Sequence, residues 1–208
     1  KGTRMVSERP KVLHEIAGRS LLQHVLGTAK SLDPAQIFVI YGYGGQTVPE
    51  SISDPSITML KQEPQLGTGH AVQQALPHLN GNHVTLVLYG DVPLTHTETL
   101  IPLVQIAQGG KVALLTIEMP NPTGYGRIIR KGGKVRRIVE EKDATPEERM
   151  LTEVNTGIMA LPNQFLPGWL GSLKNNNAQG EFYLTDVIDL AVSSGIEVAT
   201  AHPSHQRE

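Results

Sequence analysis

The sequence predicts an α/β fold: a mostly parallel sheet with helices on both faces and a small antiparallel hairpin insert over the site. Three observations predict it. Apolar runs rich in β-branched residues recur along the chain, amphipathic helical patterns separate them, and the alternation breaks once, near residues 124–150. Alternation of this kind implies parallel strands covered by helices on both sides. The break contains two short strand patterns facing each other across glycines, the mark of a hairpin.

Taken in order, Ser20-Leu21-Leu22-Gln23 has the spacing of a capping box, and Leu21, Leu22, Val25, Leu26 and Ala29 follow on one helical face. Residues 37–41 read as a buried strand. A helix is expected from His70 to Leu79, with Ala71, Val72, Ala75, Leu76 and Leu79 on its apolar side. A strand follows at Val84–Leu88. Thr95-His96-Thr97-Glu98 offers a second capping box ahead of Leu100, Leu103, Val104 and Ala107. Val112–Ile117 and Gly157–Leu161 are further buried strands, the latter opened by Glu153-Val154-Asn155-Thr156. Between them, Arg127–Arg130 and Val135–Val139 form the hairpin, with Lys131-Gly132-Gly133-Lys134 as its turn. The arrangement is Rossmann-like, so a ligand is expected beyond the carboxyl ends of the strands.

Composition narrows the function. The chain has 208 residues, 39% hydrophobic and 18% charged, which suits one soluble domain. A chain of this size buries roughly 70% of its unfolded surface and needs no covalent staple. There is no cysteine, which excludes disulfides and thiolate metal sites. The formal net charge is −2 and no long basic run occurs, which argues against a nucleic-acid partner. The pairs Arg130-Lys131 and Arg136-Arg137 read as a solvated strand edge. No apolar run approaches the ~18 residues of a membrane span, no signal peptide opens the sequence, and a cytoplasmic location is expected.

Three motifs carry chemistry. Lys1-Gly2-Thr3-Arg4-Met5 with Pro10-Lys11 supplies a glycine, three cations and backbone donors, as a phosphate-binding loop needs. Arg4 can grip phosphate oxygens in a bidentate way and Lys11 acts as a point charge. Alone, the stretch reads equally as a charged surface loop. The second motif, Gln62-Glu63-Pro64-Gln65-Leu66-Gly67-Thr68-Gly69-His70, is a glycine-bearing loop running into a helix, so it is expected to present free N–H groups and a hydroxyl. His70 reads as a helix-start residue. The third, Tyr89-Gly90-Asp91, follows the central strand and places a carboxylate where Mg²⁺ could be held against phosphates.

Jointly and in this order, these motifs resemble the sugar nucleotidyltransferases, a glycine-rich stretch ending G-T-R-M, four residues, then P-K being their signature. Val12-Leu13-His14 is similar in particular to the N-acetylglucosamine-1-phosphate uridyltransferase (pyrophosphorylase) branch. The resemblance covers the whole chain and implies the nucleotide-diphospho-sugar transferase fold. It also implies UTP and N-acetylglucosamine 1-phosphate as substrates and Mg²⁺ as cofactor. Arg4 and Lys11 would act on the phosphates as catalytic residues. Lys11, Gln62, Gly67, Thr68, Tyr89, Gly90 and Asp91 would line the nucleotide, with Asp91 the metal ligand. Gly126, Glu140 and Asn155 would surround the sugar, while Glu181 and Asp186 are helix-start or supporting residues. The competing readings are a related nucleotidyltransferase with another base or hexose, and a catalytically silent sugar-nucleotide sensor.

The sequence starts and stops abruptly, and residues 1–208 read as a single nucleotidyltransferase domain cut at both ends. The family's first strand and a second metal ligand, an asparagine, are expected outside it. A polypeptide with these exact ends is therefore expected to be nearly inactive and poorly stable. The β-helix acetyltransferase domain of the family's bifunctional members, and the trimer it builds, are not encoded in this stretch.

Overall fold

A computed structural model describes residues 9–42, 46–204 and 208. A 3-10 turn at Lys11–Leu13 leads into a two-stranded ribbon, β1 (Glu15–Ile16) and β2 (Arg19–Ser20). Next come α1 (Leu21–Lys30), β3 (Ile37–Tyr41), α2 (Thr47–Glu50), β4 (Ile57–Lys61) and α3 (Thr68–Gln73). They are followed by β5 (Val84–Val87), α4 (Thr97–Gln108), β6 (Val112–Glu118), β7 (Arg127–Lys131), β8 (Lys134–Val139) and α5 (Pro146–Arg149). The last elements are β9 (Glu153–Pro162), α6 (Leu166–Gly171), α7 (Asp186–Ser193) and β10 (Val198–Ala201). Among the described residues no helix is long and apolar enough to cross a membrane.

The α/β architecture is as expected, and the sheet is mixed. β3 pairs with β4 in parallel, and β10 with β6 in parallel. β9 runs antiparallel to β5, β6 and β7, and β7 runs antiparallel to β8. A parallel return to the sheet needs a long crossover. β8 and β9, both antiparallel to the β7 that lies between them, run in the same direction, and the stretch 140–152 that holds α5 makes this crossover. Alternation along β6 and β9 builds two cores at once. Val112, Leu114, Met159 and Leu161 face α6 and α7, packing on Trp169, Leu170, Val187 and Ile188. Ala113, Leu115, Ile158 and Ala160 face α4, packing on Leu100, Leu103 and Ala107. A third cluster joins α1 to β3 and β4 through Leu22, Leu26, Val39 and Ile57. The β6–β9 register breaks between Leu114 and Thr116, where two steps along β6 (Leu114↔Met159 to Thr116↔Asn155) answer to four along β9.

The Ser20 capping box forms in full, Ser20 Oγ accepting from the Gln23 N–H and Gln23 Oε1 from the Ser20 N–H. The second predicted box does not form. α4 starts at Thr97 with His96 as an N-cap that makes no side-chain bond. Thr95 is instead buried, its carbonyl accepting from Thr28 Oγ1, so that residue serves the packing of α1. The helix expected over 70–79 splits: α3 ends at Gln73 and residues 76–78 form a 3-10 turn. Pro77 has no N–H to offer the Gln73 carbonyl, and a turn-rich Asn80-Gly81-Asn82 follows. The hairpin insert is present, but its body packs on α7 through Ile128, Val135 and Ile138. Its open end, rather than its glycine tip, borders the candidate site.

Candidate functional site

Two of the predicted residues meet as an ion pair. Lys11 Nζ donates to Asp91 Oδ2 at 2.6 Å, 80 positions apart in sequence. Lys11 is held by its 3-10 turn, whose Leu13 is buried in the third core cluster. Asp91 lies just past the carboxyl end of β5. Gly90 lets the chain pass there, since a Cβ would come within 3.3 Å of Leu22 Cδ1 and Val12 Cγ1. Both charged side chains are partly open to solvent, and a pair so exposed contributes at most ~1 kcal/mol of stability. Its significance is chemical: a cation and a carboxylate stand together where this fold class binds ligands.

Tyr89 joins this pair to the predicted sugar side. Its ring rests on the backbone of Gly157, where a Cβ would lie 2.6 Å from Cε2. Burial pushes the Tyr89 hydroxyl up to about 12, and the Glu140 and Asp91 carboxylates push the same way. The hydroxyl therefore stays protonated near neutral pH. Gly157 sits at φ +91°, and its N–H donates to Asn155 Oδ1 at 3.1 Å. Asn155 is buried, and its N–H donates to the Gly126 carbonyl at 2.8 Å. A Cβ on Gly126 would be 3.0 Å from Ile138 Cγ2 and 3.5 Å from Glu140 Oε2. Gly126, Glu140 and Asn155 thus gather where the hairpin's open end meets β9, and Asn155 is joined through Gly157 to the Tyr89 ring.

The loop carrying Gln62, Gly67 and Thr68 is stitched to the segment before α7. Gly69 N–H donates to the Phe182 carbonyl and Phe182 N–H to the Leu66 carbonyl, each at 2.8 Å. Thr68 Oγ1 accepts from the Leu184 N–H at 3.0 Å. Gly67 is at φ +111°, and a Cβ there would lie 2.6 Å from the Phe182 carbonyl oxygen. The expectation that this loop presents free N–H groups needs correcting at Gly69, whose N–H is committed to the scaffold, whereas the Thr68 hydroxyl accepts from Leu184 and keeps its own hydrogen to donate. The Gln62 amide nitrogen donates to the Gly67 carbonyl at 2.9 Å and faces His70 Nδ1 at 3.1 Å.

Sequence reasoning missed three contributors. His70 does more than start a helix, since its ring fixes the Gln62 amide. Thr185 donates to Glu140 Oε1 at 2.8 Å. Gly157 makes room for Tyr89, and a glycine inside a strand was the available signal. Asp186 begins α7, as read. Burial and the nearby Glu140, Asp143 and Asp189 raise its carboxyl above the ordinary range. Arg4, with the rest of Lys1–Met5, lies outside the described residues. Among the described residues no cluster of three or more His, Asp or Glu could cage a metal, so Asp91 stands as a single carboxylate beside Lys11. That donor set fits Mg²⁺, which takes one or two protein carboxylates and completes its shell with water and phosphate.

Residues 1–154 match the MobA-like NTP transferase domain. The chain is 57% identical over 206 residues to a protein of Nitrosospira multiformis named Bifunctional protein GlmU, covering 98% of this chain and 45% of that protein. A protein of the same name from Thiobacillus denitrificans is 54% identical over 208 residues, again 45% of its length. The chain thus spans about half the length of the curated relatives it matches. Among solved structures, a UDP-glucose pyrophosphorylase complexed with UDP-glucose superposes with a TM-score of 0.77 at 18% identity, covering 95% of this chain and 85% of that one. A putative glucose-1-phosphate thymidylyltransferase from Bacillus anthracis gives 0.75 at 20% identity, covering 93% and 78%. At these identities the structural likeness shows the fold.

Proposed function

Because the chain belongs to the family of MobA-like NTP transferase domains, we propose that it transfers a uridylyl group from UTP to N-acetylglucosamine 1-phosphate and releases pyrophosphate. The observation that carries this reading is the Lys11–Asp91 pair at the end of β5, with Tyr89 between it and the Gly126, Glu140 and Asn155 cluster. A charged pair suited to phosphates thus lies next to a group of neutral and anionic acceptors suited to sugar hydroxyls and an N-acetyl group.

An oxygen of the sugar phosphate attacks the α-phosphorus of UTP in line. The new oxygen–phosphorus bond forms as the bond to the bridging oxygen of pyrophosphate breaks. The nucleophile is already an anion at neutral pH, so no general base is required, and catalysis consists of positioning and charge neutralisation. Lys11 can serve the phosphates without leaving Asp91, because an ammonium has three hydrogens and the pair uses one. Asp91 is the residue that would hold Mg²⁺, which when bound neutralises the nucleotide phosphates. Tyr89 remains a neutral hydroxyl between the two substrate regions. Gln62, Gly67 and Thr68 take the uracil side, and Arg4 joins Lys11 on the triphosphate. The proposal includes a cytoplasmic enzyme, and a trimer only in a longer protein carrying a β-helix domain.

The test is pyrophosphate release by the full-length protein across a panel of nucleoside triphosphates and hexose 1-phosphates, with Mg²⁺ titrated. UTP with N-acetylglucosamine 1-phosphate should give the highest kcat/KM, and Lys11→Ala should lower it by about 10²–10³. Better turnover of another base or hexose defeats the assignment, and binding of both substrates without turnover defeats the enzyme reading altogether.

A further inference from the structure

We propose that Thr185 is a positioning residue for the sugar substrate: its hydroxyl holds one oxygen of the Glu140 carboxylate, so that the other meets the sugar from a fixed direction. The proposal rests on the reading of Glu140 as a sugar contact and names what keeps that contact in place.

Thr185 stands at the N-cap of α7, where a threonine ordinarily accepts from an N–H two or three positions on. Here the side chain makes no capping bond. Thr185 is buried, and its hydroxyl donates to Glu140 Oε1 at 2.8 Å instead. A carboxylate only accepts, so the direction of this bond is fixed by chemistry.

The donor is rigid because the residues on either side of it are tied down. Phe182 N–H donates to the Leu66 carbonyl at 2.8 Å, and Leu184 N–H to Thr68 Oγ1 at 3.0 Å. The Tyr183 hydroxyl donates to Asp143 Oδ2 at 3.2 Å. Leu184, Val187 and Ile188 are buried in the core beneath α6 and α7. Glu140, by contrast, is the first residue past β8. Among the described residues the bond from Thr185 is the one hydrogen bond its side chain makes. Its Oε2 lies by Gly126, 3.5 Å from where a Cβ would stand.

A glutamate side chain left loose must be ordered when a ligand binds, at a cost in affinity. Thr185 supplies that order before the sugar arrives. The remaining carboxylate oxygen can accept from a sugar hydroxyl or from the acetamido N–H. Because Thr185 continues the segment that braces the Gly67–Thr68 loop, the same bond keeps Glu140 in register with the nucleotide side.

The experiment is steady-state kinetics of the full-length protein with each substrate varied in turn. Thr185→Val removes the hydroxyl at nearly constant shape, and Thr185→Ser keeps it. Thr185→Val should raise the KM for N-acetylglucosamine 1-phosphate about two- to tenfold, the factor for one side chain ordered on binding. The KM for UTP should hold, and Thr185→Ser should restore the wild-type value for the sugar phosphate. In a Glu140→Ala background Thr185→Val should add nothing, since the group it acts through is gone. An unchanged KM in Thr185→Val, a loss shared by Thr185→Ser, or an equal rise in the KM for UTP overturns the proposal. So does the same loss in the Glu140→Ala background, which would show Thr185 touching the sugar itself. Thr185→Ala stands in if Thr185→Val does not fold, and loss of folding in both assigns the hydroxyl to the fold and overturns the proposal too. A wild-type KM for the sugar phosphate in Glu140→Ala alone overturns the reading of Glu140, whatever Thr185 does.

Discussion

Replacing Gly157 by alanine should impose two separable penalties. At φ +91° a residue with a Cβ is strained by about 1–3 kcal/mol. The added carbon would also lie 2.6 Å from Tyr89 Cε2 and 3.0 Å from Cζ, well inside contact distance, so the ring must move. Overpacking of this kind costs about 1–3 kcal/mol. The expected loss is about 2–6 kcal/mol, a large part of the ~5–15 kcal/mol that holds a typical domain folded. Urea denaturation gives the total, and a double-mutant cycle divides it. With Tyr89→Ala already in place the ring is gone, so Gly157→Ala should then cost only the backbone share, with a coupling of about 1–3 kcal/mol between the sites. A cost below ~0.5 kcal/mol in the wild-type background, or an identical cost in both backgrounds, would refute the argument that Gly157 exists to seat Tyr89.

Other perturbations follow from neighbouring contacts. Gln62→Ala should raise the KM for UTP more than that for the sugar phosphate, and Asn155→Ala should do the reverse; steady-state kinetics with each substrate varied in turn decides both. Asp186→Asn should stabilise the protein near pH 7.5. Burial and three neighbouring carboxylates raise this group's folded pKa above its unfolded value of ~4, so its contribution to stability is lost as pH rises through that interval. The advantage of the asparagine should shrink on acidification toward pH 4 in denaturation curves, and an advantage independent of pH would contradict it. Arg127→Leu should cost about 3 kcal/mol or more by thermal or chemical denaturation. This side chain is fully buried, pairs with Glu141 and donates to the carbonyls of Tyr125, Leu151 and Arg149, all of which would lose a partner.

What the sequence disclosed is what local chemistry decides. The Ser20 box is legible because donor and acceptor lie three residues apart on one turn. The same pattern at Thr95 fails because α4 starts only at Thr97, which leaves Thr95 buried outside the helix rather than at its N-cap. The end of α3 was legible in Pro77, although the apolar periodicity beyond it pointed the other way. Tyr89, Gly90 and Asp91 could be placed from their position after an apolar strand. The partnership of Lys11 with Asp91, and of Thr185 with Glu140, joins residues 80 and 45 positions apart, which no spacing rule anticipates. His70 was close to Gln62 in sequence and still misread, since a histidine at a helix start carries no sign of which ring nitrogen is engaged.

The register break opposite Leu115 bears on how such a chain can change over time. Beyond it, Met159 and Ala160 keep step with Leu114 and Ala113, and a slip of one residue would exchange the two cores face for face. Before it, Asn155 and Val154 follow a separate register with Thr116 and Ile117. The irregularity works as an expansion joint. The Gly132–Gly133 turn and the stretch around α5 lie outside both registers, so a change of length there leaves the packed half of β9 undisturbed. The hairpin is then free to lengthen or shorten among descendants of one ancestor, provided that Asn155 and Gly126 stay at its base. Length variation should accordingly concentrate in the Gly132–Gly133 tip and in the stretch around α5.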